Sequence, residues 1–307
     1  MRLDGPSAAN WDQPRAHDLG ILPDCLGAGV GLWRLNGALR RNTSSGGWRN
    51  QFCGYRGDRA NSPFSGKSLE DKGPQYPTEA RSMNMIIHGS ALSPFTRKVV
   101  LAAMEKGIAF ESRDLNPYAP PDDFKTMNPL KRIPIVQDGE FTLADSSAIC
   151  GYFEAKHTDT QALFPKEPMA YGHALWIEEY ADTVLFADIS EGVFKPIFIN
   201  QFLGKPVDHA AVEIALSKAL PVRLHYLENQ LEDRTWFAGE RLTVADLSVY
   251  SQLVNLLHAG HLPSSDSYPH LMAHFKRIQI RPSAEKLHRS ETAYLRQMLE
   301  MISNRKE

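Results

Sequence analysis

Between Met85 and Tyr152 the apolar residues change period several times, and the order of those periods limits the folds open to the chain more than any other feature. The run Met85 to His88 is too short for a helix, closes at Gly89 and reads as a strand. Ser93-Pro94 then reads as a serine N-cap with proline at the first helical position. Phe95, Val99, Val100, Ala103 and Met104 recur at helical spacing until Gly107 supplies the stop, and Phe110 to Leu115 reads as a second strand. Ile133 to Gln137 and Glu140 to Leu143 flank Asp138-Gly139, a strong short hairpin signal, and a helix opens at Asp145-Ser146. The order is βαβ followed by a ββ hairpin and a helix, which is read as a thioredoxin-like α/β domain, βαβαββα in full, over residues 83–157.

From Pro168 onward no strand pattern is legible, and residues 168–301 are expected to form an all-helical bundle after a polar linker, His157 to Pro168. Tyr171, Leu175, Ile177, Tyr180 and Val184 mark one helix and Val193 to Phe202 a second. A long helix is expected over Asp208 to Leu231, with an interruption at Pro221. Thr243-Val-Ala-Asp246 places a hydroxyl N-cap and a capping-box acid before Leu247, Tyr250, Val254 and Leu257. A last helix is expected from Pro269 to Arg281, where Arg281-Pro282 breaks it.

Charge excludes more than it proposes. With 34 basic and 36 acidic side chains there is no electrostatic reason for a nucleic-acid or anionic-membrane partner. No apolar run approaches a bilayer-spanning length, so a soluble, cytoplasmic protein is expected. Three cysteines, Cys25, Cys53 and Cys150, are odd in number and not at metal spacing, which argues for a reducing compartment. His270 and His274 fall four apart, but Leu271 stands where a zinc-protease helix carries glutamate, and no metal is expected.

Residues 1–82 hold twelve of the 21 glycines among Ser, Asn, Arg and Pro with no sustained apolar period, so a disordered extension is expected. Gly27-Ala-Gly29-Val-Gly31 lacks the flanking strand and helix of a dinucleotide fingerprint. The acid-free stretch Cys25 to Gly57 has some transit-peptide character, but acids precede it and no amphipathic helix is legible. A translation start at Met83 or Met85, with the upstream residues an artefact, is the remaining reading.

Three segments in this order and spacing, Ser93-Pro-Phe-Thr-Arg-Lys-Val, Asn128-Pro-Leu-Lys-Arg-Ile-Pro and Asp145-Ser146, resemble the N-terminal domain of a soluble glutathione transferase. The run from Trp236 to Tyr250, WFAGERLTVADLSVY, is similar to that family's helical C-terminal domain. The resemblance spans Met85 to His288. It is to serine-type members, bacterial-like, with a delta-, theta- or zeta-like motif. It implies glutathione as co-substrate, a homodimer, and conjugation to an apolar electrophile. Glutathione-dependent isomerisation or dehalogenation, and a non-catalytic scaffold, are the alternatives.

The resemblance also assigns residues. Ser93 takes the place of the hydroxyl that stabilises the thiolate, with Ser90 the rival and Thr96 a third candidate. Omega-like members carry cysteine where Ser93 stands. Phe95 lines the thiol pocket. Ile133-Pro134, expected cis, presents its backbone to the cysteinyl moiety; Asp145 and Ser146 receive the γ-glutamyl group; Lys131 lies near the glycine carboxylate. Each has a plainer reading: Ser93 and Asp145 as helix caps, Lys131 as a solvated lysine, Phe95 as core. The second substrate is expected near Tyr180, Val184, Phe186 and Phe194 or Phe198.

Overall fold

A computed structural model describes residues 85–121 and 124–304; the expectations for residues 1–82 lie outside them. The described chain begins in strand β1, Met85–His88, which becomes the centre of the sheet. β2, Glu111–Arg113, pairs with it in parallel with Ile86 opposite Glu111; β3, Ile135–Asp138, pairs antiparallel with Ile87 opposite Val136; and β4, Phe141–Ala144, completes the order β2-β1-β3-β4. The second strand is shorter than the Phe110 to Leu115 read from sequence. The hairpin differs too: Asp138 pairs with Phe141, so the two loop residues are Gly139 and Glu140, not Asp138 and Gly139. Gly139, at φ 62°, supplies the left-handed backbone that the first loop position requires.

Successive strand residues point to opposite faces. Val136 therefore enters the main core with Val99, Ile149 and Phe153, while its neighbour Ile135 enters a smaller cluster with Leu115 and Phe124. Two helices supply the main face. α1, Pro94–Glu105, is capped by Ser93, whose Oγ accepts the Thr96 N–H at 3.3 Å, and ends at Lys106 with Gly107 beyond it at φ 66°. The smaller face is covered by α2, Phe124–Met127. α3, Ser146–Lys156, packs beside α1 and is capped by Asp145, whose Oδ1 accepts the Ser147 and Ala148 N–H groups, both at 3.0 Å.

The remainder is helical. α4, Pro168–Tyr180, runs without a break into a π-wound stretch, Ala181–Asn200. The two helices expected there are thus one continuous rod. Its wider winding accommodates Pro196, which has no N–H to give to the preceding turn. α5, His209–Ile214, a π turn, Ala215–Ala219, and α6, Leu220–Gln230, replace the single helix expected over this region, and the change of winding falls just before Pro221. α7, Val244–His258, is the centre of the bundle, with every residue from Val244 to Leu256 buried. Asp246 accepts the Thr243 N–H at 2.7 Å as the capping-box reading requires, and also the Phe237 N–H at 2.9 Å. α8, Pro269–Gln279, and α9, Pro282–Ser303, follow. Buried His274 meets Asp246 at 2.8 Å through Nε2. No helix among the described residues is long and apolar enough to cross a membrane.

Where α7 and α9 meet α1, Glu291 is buried between Arg97, at 2.7 Å, and His258, at 3.1 Å, and the His258 ring stacks on that of His288 at 5.4 Å. Burial opposes the Glu291 charge, but Arg97 and His258 outweigh it and hold its pKa below the ordinary 4.5. Burial and the neighbouring His258 push His288 below its ordinary 6.5. In both cases the unfolded chain takes up the proton first as pH falls, so both contributions are present at neutral pH and are lost in acid. Denaturant melts should show stability declining below pH 6.5 as His288 is forced to protonate, and again below 4.5 as Glu291 does. His288→Phe should make the first decline shallower and leave the second in place.

Candidate active site

α1 begins at the mouth of a cavity of about 700 Å³ that lies between the sheet domain and the bundle. Ser90, Ser93, Pro94 and Phe95 form one wall; Lys131, Arg132 and Ile133, in the loop before β3, form another. The opposite side comes from the π-wound rod, through Asp182, Phe186 and Phe194, and from α9, through Tyr294 and Met298. Asn116, Pro117 and Tyr118, after β2, complete the rim.

The placement of each residue follows from local structure. Ser93 is half-buried, and its oxygen spends one lone pair as acceptor in the α1 cap, which leaves the hydroxyl hydrogen available to donate. Capping and thiolate stabilisation are therefore compatible in one side chain. Ser90 is also half-buried and lines the same wall, and its carbonyl accepts the Ser93 N–H at 3.1 Å. Thr96 is buried and does not line the cavity. Its side chain packs so closely on Gly89 that a Cβ there would lie 2.3 Å from Thr96 Oγ1, which explains the glycine at the end of β1. Phe95 lines the cavity and meets the Phe186 ring at 4.8 Å, so it is an interdomain contact as well as a wall.

The loop before β3 is organised by buried Asn128: its amide donates to the Arg132 carbonyl at 2.8 Å, and its Oδ1 accepts the Leu130 N–H at 2.9 Å. Lys131 follows in left-handed backbone, φ 53°, a strained conformation for a residue with a side chain. It is exposed and lies on the cavity wall. The Ile133–Pro134 bond is cis, as the resemblance implies; Ile133 lines the cavity, whereas Pro134 is buried and does not.

Asp145 and Ser146 do not line the cavity directly. Asp145 is exposed with one oxygen engaged in the α3 cap, and Ser146 is buried with its hydroxyl 3.5 Å from Asp182 Oδ2, which does reach the wall. Of the residues expected near the second substrate, Phe186 and Phe194 line the cavity, while Tyr180 and Val184 pack in or against the main core and Phe198 packs beside Phe194. Sequence reasoning missed Asp182, Tyr118, Tyr294 and Met298. Asp182 sits in a helical run with no local signal, and the α9 pair lies beyond the stretch over which the family motifs extend.

Behind the site, Lys98 is fully buried, with Glu178 at 2.8 Å, Asp182 at 2.5 Å and the Ser147 hydroxyl at 3.3 Å. Burial opposes its charge, but the two carboxylates outweigh it and raise its pKa, so it stays an ammonium. His258, His288 and Glu291 place ligand-type atoms within 4.8 Å of one another, but both Glu291 oxygens are already taken by Arg97 and His258.

Comparison with known proteins gives this arrangement its family. Residues 87–161 match the model of the glutathione S-transferase N-terminal domain, and residues 187–288 that of the C-terminal domain. A glutathione S-transferase of Hyoscyamus muticus is 30% identical over 213 residues, which is 66% of this chain and 97% of the relative. Glutathione S-transferase theta-1 of Homo sapiens is 28% identical over 182 residues, 58% of this chain and 75% of the relative. In structure, a glutathione transferase homolog from Drosophila mojavensis, solved with bound glutathione, superposes with a TM-score of 0.60 at 24% identity, covering 72% of this chain and 97% of its own. The chain belongs to the glutathione S-transferase family.

The buried cysteine of α3 is not a second nucleophile. Burial pushes the Cys150 thiol up to about 12, against the pull of nearby Lys98. Under native conditions at neutral pH Cys150 should resist alkylation by iodoacetamide, as read by peptide mass spectrometry, and should react fully once the protein is denatured.

Proposed function

We propose that Ser93 donates its hydroxyl hydrogen to the sulfur of glutathione and so holds it as the thiolate that attacks an apolar electrophile. The protein is a glutathione transferase; the proposal concerns how its own residues do the work. A free thiol titrates near 8.5, so only about 3% is thiolate at pH 7. A hydrogen bond to a charged acceptor contributes about 1.5–3 kcal/mol and a helix N-terminus about 0.3–1 kcal/mol. At about 1.4 kcal/mol per pKa unit these two together suffice to bring the thiol to neutrality or below. The single observation that supports Ser93 is that its oxygen accepts the cap bond while its side chain lines the cavity, leaving a donor at the head of α1.

In this reading the backbone of Ile133, before the cis bond, receives the cysteinyl moiety, and Lys131 meets the glycine carboxylate. The head of α3 receives the γ-glutamyl group: Ser146 and the adjoining N–H groups take its carboxylate, and Asp145 its ammonium. Phe95, Phe186, Phe194 and Met298 give the electrophile an apolar wall. The division into a glutathione-binding part, 83–157, and a helical part, 168–301, belongs to the same proposal. So do the assignment to the serine-type members, a homodimer and a cytoplasmic setting without a bound metal.

Ser93→Ala should lower kcat/KM with a chromogenic aryl halide at least about tenfold and raise the pKa of the bound thiol while glutathione still binds. The same result in Ser90→Ala, with Ser93→Ala unaffected, would transfer the role to Ser90. Asp145→Ala should mainly raise the KM for glutathione, because that contact is made before the reaction starts; an unchanged KM would remove Asp145 from the site.

A further inference from the structure

The aromatic wall of the cavity has a polar gap in it. Phe186, Ser190 and Phe194 follow one another along the π-wound rod, each about one turn from the next, and all three line the cavity; Asn255 of α7 lines it as well. Ser190 and Asn255 are both buried, and both belong to a run of hydrogen bonds that starts from a cation. Arg97 Nη1 donates to Asn255 Oδ1 at 3.0 Å, Asn255 Nδ2 donates to Ser190 Oγ at 3.1 Å, and the Ser190 hydroxyl donates to Gln252 Oε1 at 3.0 Å. A guanidinium has no lone pair to offer, so the direction of the run is fixed. The Asn255 amide cannot turn over without setting its NH2 against Arg97.

That direction decides what the gap presents. The Ser190 hydrogen is committed to Gln252, whereas Asn255 Nδ2 carries two hydrogens, spends one on Ser190 and finds no acceptor for the second among the described residues. The surplus of donors extends to both ends of the run, where buried Arg97 Nη2 and buried Gln252 Nε2 have no partner. Leaving a buried N–H unmade is costly, and a charge at the head of a run polarises the donors that follow it. An acceptor oxygen is the group this wall lacks.

We infer that Asn255 sets the polarity of the second substrate: its uncommitted N–H receives a carbonyl-type oxygen carried by an otherwise apolar electrophile. The inference rests on the transferase reading of the cavity and narrows it, because aromatic rings on either side of Ser190 hold the apolar body while the gap between them takes the oxygen. Asn255 is a specificity-determining residue. Arg97, which holds Oδ1, is a positioning residue.

The test uses pairs of glutathione conjugates that differ in one atom group: S-(acetylbenzyl)glutathione, which carries a ketone oxygen, and S-(isopropenylbenzyl)glutathione, which has a methylene of nearly the same size in its place. Each pair is made with the substituent ortho, meta or para, and equilibrium binding avoids any difference in reactivity. At one ring position or more the wild-type protein should favour the ketone by at least about threefold, the scale of one net hydrogen bond. Asn255→Asp keeps an acceptor for Arg97 but turns the outward donor into an acceptor, and it should reverse that preference. A preference below about threefold at every position in the wild type, as when water alone fills the gap, overturns the inference, and so does the same preference in Asn255→Asp. Should Asn255→Asp not fold, a crystal structure of the wild-type protein with the preferred ketone conjugate decides: a ketone oxygen within about 3.2 Å of Asn255 Nδ2 supports the inference, and any longer separation overturns it. If the wild type binds none of the conjugates, the transferase reading itself falls, and this inference with it.

Discussion

Arg97 and Lys98 are neighbours in sequence and therefore about 100° apart around α1, so their side chains leave the helix toward different partners. Arg97 is 2% exposed and enters the junction of α7 and α9, donating to Glu291 at 2.7 Å, to the Ser251 carbonyl at 2.5 Å and to Asn255 Oδ1 at 3.0 Å. Lys98, 0% exposed, enters the rod opposite and meets Glu178 and Asp182. Rotating or sliding α1 breaks one cluster or the other. The first turn of α1 carries Ser93, and the Arg97 N–H closes that turn on the Ser93 carbonyl at 2.9 Å. The Ser93 hydroxyl is thus positioned relative to the bundle by charges one turn away from it.

Those charges are not the most stabilising choice for a buried contact. Replacing a buried ion pair with apolar side chains of similar volume is often neutral or favourable, while removing one partner costs about 3–5 kcal/mol because a charge is left without compensation. An apolar patch on α1 could bind the bundle equally well but would tolerate small shifts in register. The two pairs fix direction as well as distance, and a cavity whose walls come from separate parts of the chain needs both. The polar atoms of α7 serve the same end: buried Gln252 accepts the Ser190 hydroxyl of the rod at 3.0 Å through Oε1, and buried Asn255 donates to that hydroxyl at 3.1 Å, so α7 is tied to the rod and to α1 on adjacent faces.

This arrangement explains what could and could not be read from the residues. The α1 and α3 caps and the Thr243–Asp246 box are local, since each depends on residues within three or four positions of one another, and they stand where the sequence puts them; the strands come in the expected order with shifted ends. The turn residues of the hairpin were one position off because Gly139, not Asp138, takes the left-handed backbone, and both placements satisfy the same dipeptide. Arg97 and Lys98 were legible as motif letters but not as buried charges: Glu291 lies 194 residues from Arg97, and Glu178 lies 80 from Lys98, so no local pattern signals either pair. The cavity residues divide in the same way. Ser93, Phe95, Lys131 and Ile133 come with local motifs, whereas Asp182, Tyr294 and Met298 reach the cavity only because α1 holds the two parts together.

The division also separates two tasks. The walls built from local motifs, Ser93, Phe95, Lys131 and Ile133, stand at helix ends and in the loop before β3, where caps and turns set their position. The walls that depend on tertiary packing are Phe186, Phe194, Tyr294 and Met298, side chains large enough that a single replacement changes the cavity while leaving every cap and turn intact. Asp182 is the exception, a charge on the packed wall, and it is the residue that Lys98 reaches through the sheet domain. The packed wall can therefore vary without disturbing the head of α1, provided the clamp on α1 is kept. A substitution at Arg97 or Lys98 would not be confined in that way, because it would move both walls relative to each other at once.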